Sequence, residues 1–337
     1  MKTQRRADSR AVRAPSGIPG LPEPAGRSLV GAAGTLLLFH AALVIVLTLL
    51  RRSWPAFNGL VNSDSPQSFV IGAIFMQGLL ILVPTVFVIL ACRIPTVDLI
   101  GTRPRAGSLV LAATVGVPAA VVFQGLNNLL LYILVKSGIN LPEPATASGL
   151  AGENLFDRSW MVIVLVTLIS VIMPGLIEEL MFRGVILASF RSVGAAASAI
   201  FWQAAAFAVF HGDPLFILPP FLAGLMLATI RRRSESLFPA MLAHMSLNLS
   251  MLAVSPLLPR LTVKYLAGGS SQANSLLYAS LIAACVAAVA LVPLLILISH
   301  LQPSPEKPRV RLHFWPADWK FALAFVALIA IMILDNG

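Results

Sequence analysis

An all-α polytopic bundle of eight or nine transmembrane helices is the fold this sequence predicts. Three observations predict it. The chain is 58% hydrophobic and only 11% charged, its mean hydropathy is +0.87, and its apolar residues fall in runs of about membrane-spanning length. A soluble globular domain does not have this composition. By the length rule of about 20 apolar residues per crossing, the candidate spans are 29–50, 68–92, 107–135, 160–190, 194–211, 214–230, 236–257, 274–299 and 319–334.

Residues 1–28 precede the first span and interleave six Lys and Arg with Pro15, Pro19, Pro22 and Pro24, a composition that builds no core and reads as a disordered basic tail. The first apolar run is as long as a full span and ends in Arg51 and Arg52, so it reads as a helix that stays rather than a cleaved signal. Residues 29–136 then hold three spans. The third and fourth runs exceed the minimum and are expected to tilt or overhang. The fifth and sixth are short, and Pro219 with Pro220 makes the sixth the weakest span. Residues 160–255 carry the chemistry described below, and 256–337 supply the last two spans. The longest polar connections after the first two spans are 137–158 and 301–317.

A net charge of +10 suggests nucleic acid in a soluble protein. Here its distribution is topological. With nine spans, 17 of the 24 Lys and Arg lie on the side of the N-terminus, six lie on the other, and Arg183 is inside a span. The expectation is a multi-pass protein of the cell membrane with a cytoplasmic N-terminus, anionic lipid as its electrostatic partner, and no nucleic acid. Cys92 and Cys285 lie at or within spans without metal-ligand spacing and are expected to be buried free thiols. His40 is expected to be structural, and Gln124, Asn127 and Asn128 to make interhelical hydrogen bonds.

Inside the fourth run, the stretch GLIEELMFRGV at 175–185 holds Glu178, Glu179 and Arg183. A charge at the bilayer centre costs about 2.5–3.5 kcal/mol on insertion scales, so three need a reason. Glu179 and Arg183, four apart, face the same way and are placed to pair. Glu178 is turned about 100° away and is the carboxylate left over, which suits a general base or acid. Downstream, Phe207 and His211 share one face of FAVFH, and His244 and Asn248 share one face of HMSLN. At about 1.5 Å per residue, Glu178 lies about 18 Å into the membrane and His244 about 14 Å, with His211 deeper at about 25 Å. The HGDP turn after His211 is reached before the far interface, so its non-helical backbone is expected to line a cavity or to be buried in protein.

These three motifs, E-E-x-x-x-R, F-x-x-x-H and H-x-x-x-N on successive apolar segments, resemble those of the CAAX-processing and bacteriocin-processing (CPBP, or Abi) family of intramembrane endopeptidases, which includes the type II CAAX prenyl proteases. The resemblance covers roughly 160–255 and implies a protease of membrane-associated peptides, of CAAX or leader-peptide type. It implies that Glu178 and His211 activate a water, that His244 and Asn248 stabilise the oxyanion, and that Glu179 and Arg183 hold the helix and tune Glu178. The metal is left open. Glu178, His211 and His244 offer three ligands for a zinc ion, yet H-E-x-x-H is absent and a Glu/His pair needs no ion. The competing readings are a non-catalytic scaffold or immunity protein that retains the cluster for packing, and a proton-relaying transporter. The transporter is disfavoured because the polar residues form one cluster rather than a path.

Overall fold

The computed structural model describes residues 29, 31–62, 65–138, 159–193, 196–254, 271–301 and 319–336; the tail at 1–28 and most of both long connections lie outside them. The described residues form eleven helices. In chain order they are α1 Ala32–Ser53, α2 Pro55–Asn62, α3 66–91, α4 Thr96–Ile100, α5 Ala106–Lys136, α6 160–193, α7 Ala196–Phe210, α8 Leu218–Ser234, α9 Leu237–Val254, α10 Ser271–Ser299 and α11 Trp319–Asn336. Five of these are long and apolar enough to cross a membrane, and α7, α9 and α11 are shorter apolar helices. The weakest predicted span is α8, which starts late, after a short turn at Pro214–Phe216, and ends in Arg231, Arg232 and Arg233. The helices α2 and α4 stand where the sequence suggested only connections. They are too short to announce themselves by periodicity.

Glycine sets the closest crossings, because without a side chain two backbones can meet. A Cβ on Gly116 of α5 would lie 2.4 Å from the carbonyl carbon of Ser246 and 2.6 Å from the nitrogen of Leu247 on α9. Nine residues on, half a turn round the same helix, a Cβ on Gly125 would lie 2.6 Å from Ala284 of α10. Thus α5 is clasped on opposite faces by α9 and α10. The hydroxyl of Ser246 also obstructs and can rotate, but the carbonyl carbon of Ser246 and the nitrogen of Leu247 are backbone and cannot swing aside. Gly116→Ala is therefore expected to lose about 1–3 kcal/mol of stability, read as a lower melting temperature in detergent. Because α9 carries His244, activity should fall with it.

Of the prolines that interrupt the hydrogen-bond ladder inside spans, two leave a carbonyl that a side chain from another helix answers. Pro84 of α3 has no N–H for the carbonyl of Leu80, four residues back, and His40 Nδ1 of α1 donates to that oxygen at 2.8 Å. Pro174 of α6 leaves the carbonyl of Ser170 in the same way, and Asn248 Nδ2 of α9 donates to it at 3.3 Å. Just before both prolines the helix widens into i→i+5 turns, as between Val83 and Gly78 and between Met173 and Leu168. A structural His40 is thereby accounted for. One expectation needs correcting. Cys285 is exposed on the outside of α10 and Cys92 is half-buried. Gln124 and Asn128, both expected to bond between helices, are buried and also bond to each other within α5 at 3.0 Å.

The two ends of the bundle differ. At one end Arg231 Nη2 donates to the carbonyls of Asp98 and Leu99, at 3.4 and 3.3 Å, at the C-terminus of α4. Burial lowers the Arg231 guanidinium to about 10, with Arg191 pushing the same way, so it remains a cation at neutral pH. Beside it Gly101, at φ +77°, pairs with Ser236, and the Thr102 amide donates to Glu235 at 2.9 Å. Leu29 meets Ser189 at this end, and Lys320 reaches Thr35. At the other end Arg52 donates to the carbonyl of Leu334, and Leu215 packs with Leu131 and Leu277.

Candidate active site

The charged stretch sits on a widened part of α6, where Leu187 donates to Phe182 across an i→i+5 turn. Glu178, Glu179, Arg183 and His244 are all buried. Glu179 and Arg183 make the i, i+4 pair, with Arg183 Nη1 2.6 Å from Glu179 Oε1. The same oxygen accepts from His244 Nδ1 at 2.8 Å. One carboxylate thus holds a cation from its own helix and an imidazole from α9.

His244 is left with Nε2, which points to Glu178 and lies 4.0 Å from Oε2. The other oxygen of Glu178, Oε1, accepts from Gln77 Nε2 of α3 at 3.1 Å. Oε2 itself is buried and has no hydrogen-bond partner in the protein. A buried carboxylate oxygen left bare carries its desolvation cost uncompensated, so it calls for a donor from a water or a bound molecule.

The ring of Phe207 is the hub that brings the third motif in. The Arg183 guanidinium stacks 4.4 Å above its centre, and the rings of His211 and His244 stand edge-on at 4.7 and 5.8 Å. His211, expected to lie deeper than the others, is brought level with them by this shared contact. Its Nδ1 donates to the carbonyl of Phe207 at 2.7 Å, which fixes the tautomer and leaves Nε2 with a lone pair. His244 is fixed likewise by Glu179. Asn248 is set apart: its amide serves Ser170, as described above.

Of the six residues singled out in the sequence, four make one hydrogen-bonded or ion-paired group, His211 joins it through Phe207, and Asn248 faces a backbone carbonyl. Gln77 was not among them. Its only signal is a lone amide in the apolar run IFMQGLLIL. Replacing it with leucine removes a hydrogen bond to a charged group, worth about 1.5–3 kcal/mol. In a cleavage assay Gln77→Leu is expected to lower kcat about tenfold or more with KM unchanged.

The donor set does not suit a metal. Among the described residues no group of three His, Cys, Asp or Glu side chains is arranged to hold an ion. The three suggested zinc ligands do not converge as such a set. The arrangement offers instead two bare carboxylate oxygens, Oε2 of Glu178 and Oε2 of Glu179, two imidazole nitrogens with lone pairs, and a carboxylate–guanidinium pair that locks one imidazole in place.

A family model described as type II CAAX prenyl endopeptidase, Rce1-like, matches residues 159–250. That segment contains all three motifs and runs from the start of α6 to the last turn of α9. No curated protein and no solved structure matches the chain.

Proposed function

We propose, on the match of residues 159–250 to the Rce1-like family model, that this multi-pass membrane protein is an endopeptidase of the CPBP family that hydrolyses a peptide bond of a membrane-associated substrate through a water activated by Glu178. The observation that carries the reading is the bare Oε2 of Glu178, buried 4.0 Å from the free nitrogen of His244. A water bound there donates to Oε2 and has its lone pair free for a carbonyl carbon.

The chemistry balances without an ion. Glu178 takes a proton from the water as its oxygen bonds to the peptide carbon, and the carbonyl oxygen becomes an oxyanion. The proton then passes to the leaving nitrogen as the C–N bond breaks, which regenerates the carboxylate. His211, with Nε2 unprotonated, shares the water or relays the proton. His244, held through Nδ1 by Glu179, turns Nε2 toward Glu178 and the water bound there. Asn248 joins it only by leaving the carbonyl of Ser170, and at 3.3 Å that bond is a long one. Gln77 holds Glu178 by one oxygen so that the other faces the water.

The test is comparative peptidomics of membranes carrying the intact protein or Glu178→Gln. New peptide termini should appear only with the intact protein. A zinc chelator in a parallel arm should leave them in place.

A further inference from the structure

We propose that Gly175 is a positioning residue for the reaction: its missing side chain seats Met245 of α9 and so fixes how far His244 stands from Glu178 and Glu179. This rests on the peptidase reading above and adds to it a residue that acts through packing.

The helices α6 and α9 run antiparallel and meet at three levels. At the first, Asn248 Nδ2 donates to the carbonyl of Ser170 at 3.3 Å. At the last, His244 Nδ1 donates to Glu179 Oε1 at 2.8 Å, and His244 Nε2 lies 4.0 Å from Glu178 Oε2. Gly175 is the level between them. A Cβ there would stand 2.4 Å from Met245 Cγ, 3.3 Å from Met245 Cε and 3.4 Å from the carbonyl oxygen of Met241. Met241 and Met245, four apart, lie on one ridge of α9, and the groove that takes the ridge exists because residue 175 has no side chain. Glu178 and Glu179 follow Gly175 by three and four residues, on the same side of α6. The contact is thus a fulcrum with a polar bond on either side of it.

Other glycines of the spans differ. Gly78 and Gly107 face open space, Gly184 meets ordinary contacts from 3.4 Å outward, and Gly116, Gly125 and Gly224 press on helices other than α6. Among these, Gly175 alone brings the helix of the two carboxylates against the helix of His244. Nor can α9 back away from it. Ser246 and Leu247, about 100° and 200° round α9 from Met245, already lie against Gly116 of α5.

Packed carbon atoms sit about 3.5–4.0 Å apart, so a methyl group 2.4 Å from Met245 Cγ asks for about 1 Å of relief. Cγ is the first atom beyond Cβ and moves only by changing χ1, which a helix restricts. Relief therefore comes from tilting or sliding α9, and His244 moves with it. A shift of that size takes the 2.8 Å bond to Glu179 out of hydrogen-bond range and draws Nε2 off the water at Glu178.

The test uses the full chain in lipid vesicles as Gly175→Ala, Met245→Ala and the two together, with Gly125→Ala as a control for similar crowding between α5 and α10. The probe is a synthetic peptide spanning the site of the most abundant Glu178-dependent terminus, and rates are taken per folded molecule. Gly175→Ala should cut kcat about 10²-fold with KM unchanged. Adding Met245→Ala, which removes Cγ and Cε, should bring kcat back near the wild-type value. Met245→Ala alone and Gly125→Ala should stay near it throughout. A second reading needs no substrate: nitrogen NMR of isotope-labelled histidine, with His244→Asn identifying the resonance. The His244 Nδ1 signal should move in Gly175→Ala and return in the double variant. Full kcat in Gly175→Ala, an equal loss in Gly125→Ala, or a loss that Met245→Ala leaves in place would overturn the positioning role. Should Gly175→Ala fail to fold, the double variant decides: folded and active, it upholds the contact, and misfolded as well, it refutes it. Absence of any Glu178-dependent product from the intact protein would instead sink the peptidase reading, and the His244 signal would still show whether Gly175 sets the imidazole.

Discussion

Glu178→Gln is expected to abolish product formation, by about 10² to 10⁴-fold or more, while the protein accumulates and melts as the wild type does. The substitution is isosteric. Its amide oxygen can still accept from Gln77 Nε2, now at 3.1 Å from Glu178 Oε1, so the contact between α3 and α6 survives. What is lost is the capacity of the bare oxygen to take a proton, and general-base catalysis contributes about that range. The same variant separates the readings. A scaffold or immunity protein that keeps the cluster for packing would lose stability or partner binding and never yield a covalent product. A variant with full peptidase activity would end the assignment of Glu178.

Arg183→Ala should do the opposite: the protein itself is expected to fail. Glu179 would keep only His244 as a partner, in a site where both carboxylate and guanidinium are shut away from solvent. Breaking one side of a buried ion pair costs about 3–5 kcal/mol, a large share of a typical total of 5–15 kcal/mol. Arg183→Lys should fall between, since an ammonium keeps the charge but loses the flat face that stacks 4.4 Å over Phe207. The measurement is the fraction of folded protein in detergent against temperature. An Arg183→Ala variant as stable as the wild type would show that the pair does not hold α6 in place.

The contrast between neighbouring positions was partly readable in advance. Glu179 and Arg183 are four apart, so helical geometry pairs them and leaves Glu178 over, and the three motifs named the segments that supply the histidines. The partner of Glu178 was not readable, because Gln77 lies 101 residues away and no spacing rule connects a lone amide in one span to a carboxylate in another. The position of Asn248 was hidden for a related reason. Its bond to Ser170 exists because Pro174 leaves that carbonyl without its helical donor, and a sequence shows the proline but not which helix will come to answer it. His40 and Pro84 repeat the case. The short helix α4 escaped because five residues give no period to read, and with it went the packing of Leu99 on Gly184.

The packing of α4 on Gly184 has a consequence for the living membrane. A hydrophilic cleft that ran from one side of a bilayer to the other would let protons leak and would drain the electrochemical gradient that energised membranes maintain. Leu99 against Gly184, held by the bonds from Arg231 to α4, sets apolar packing in the way of such a path. The proposed hydrolysis would then not short-circuit the membrane at this end.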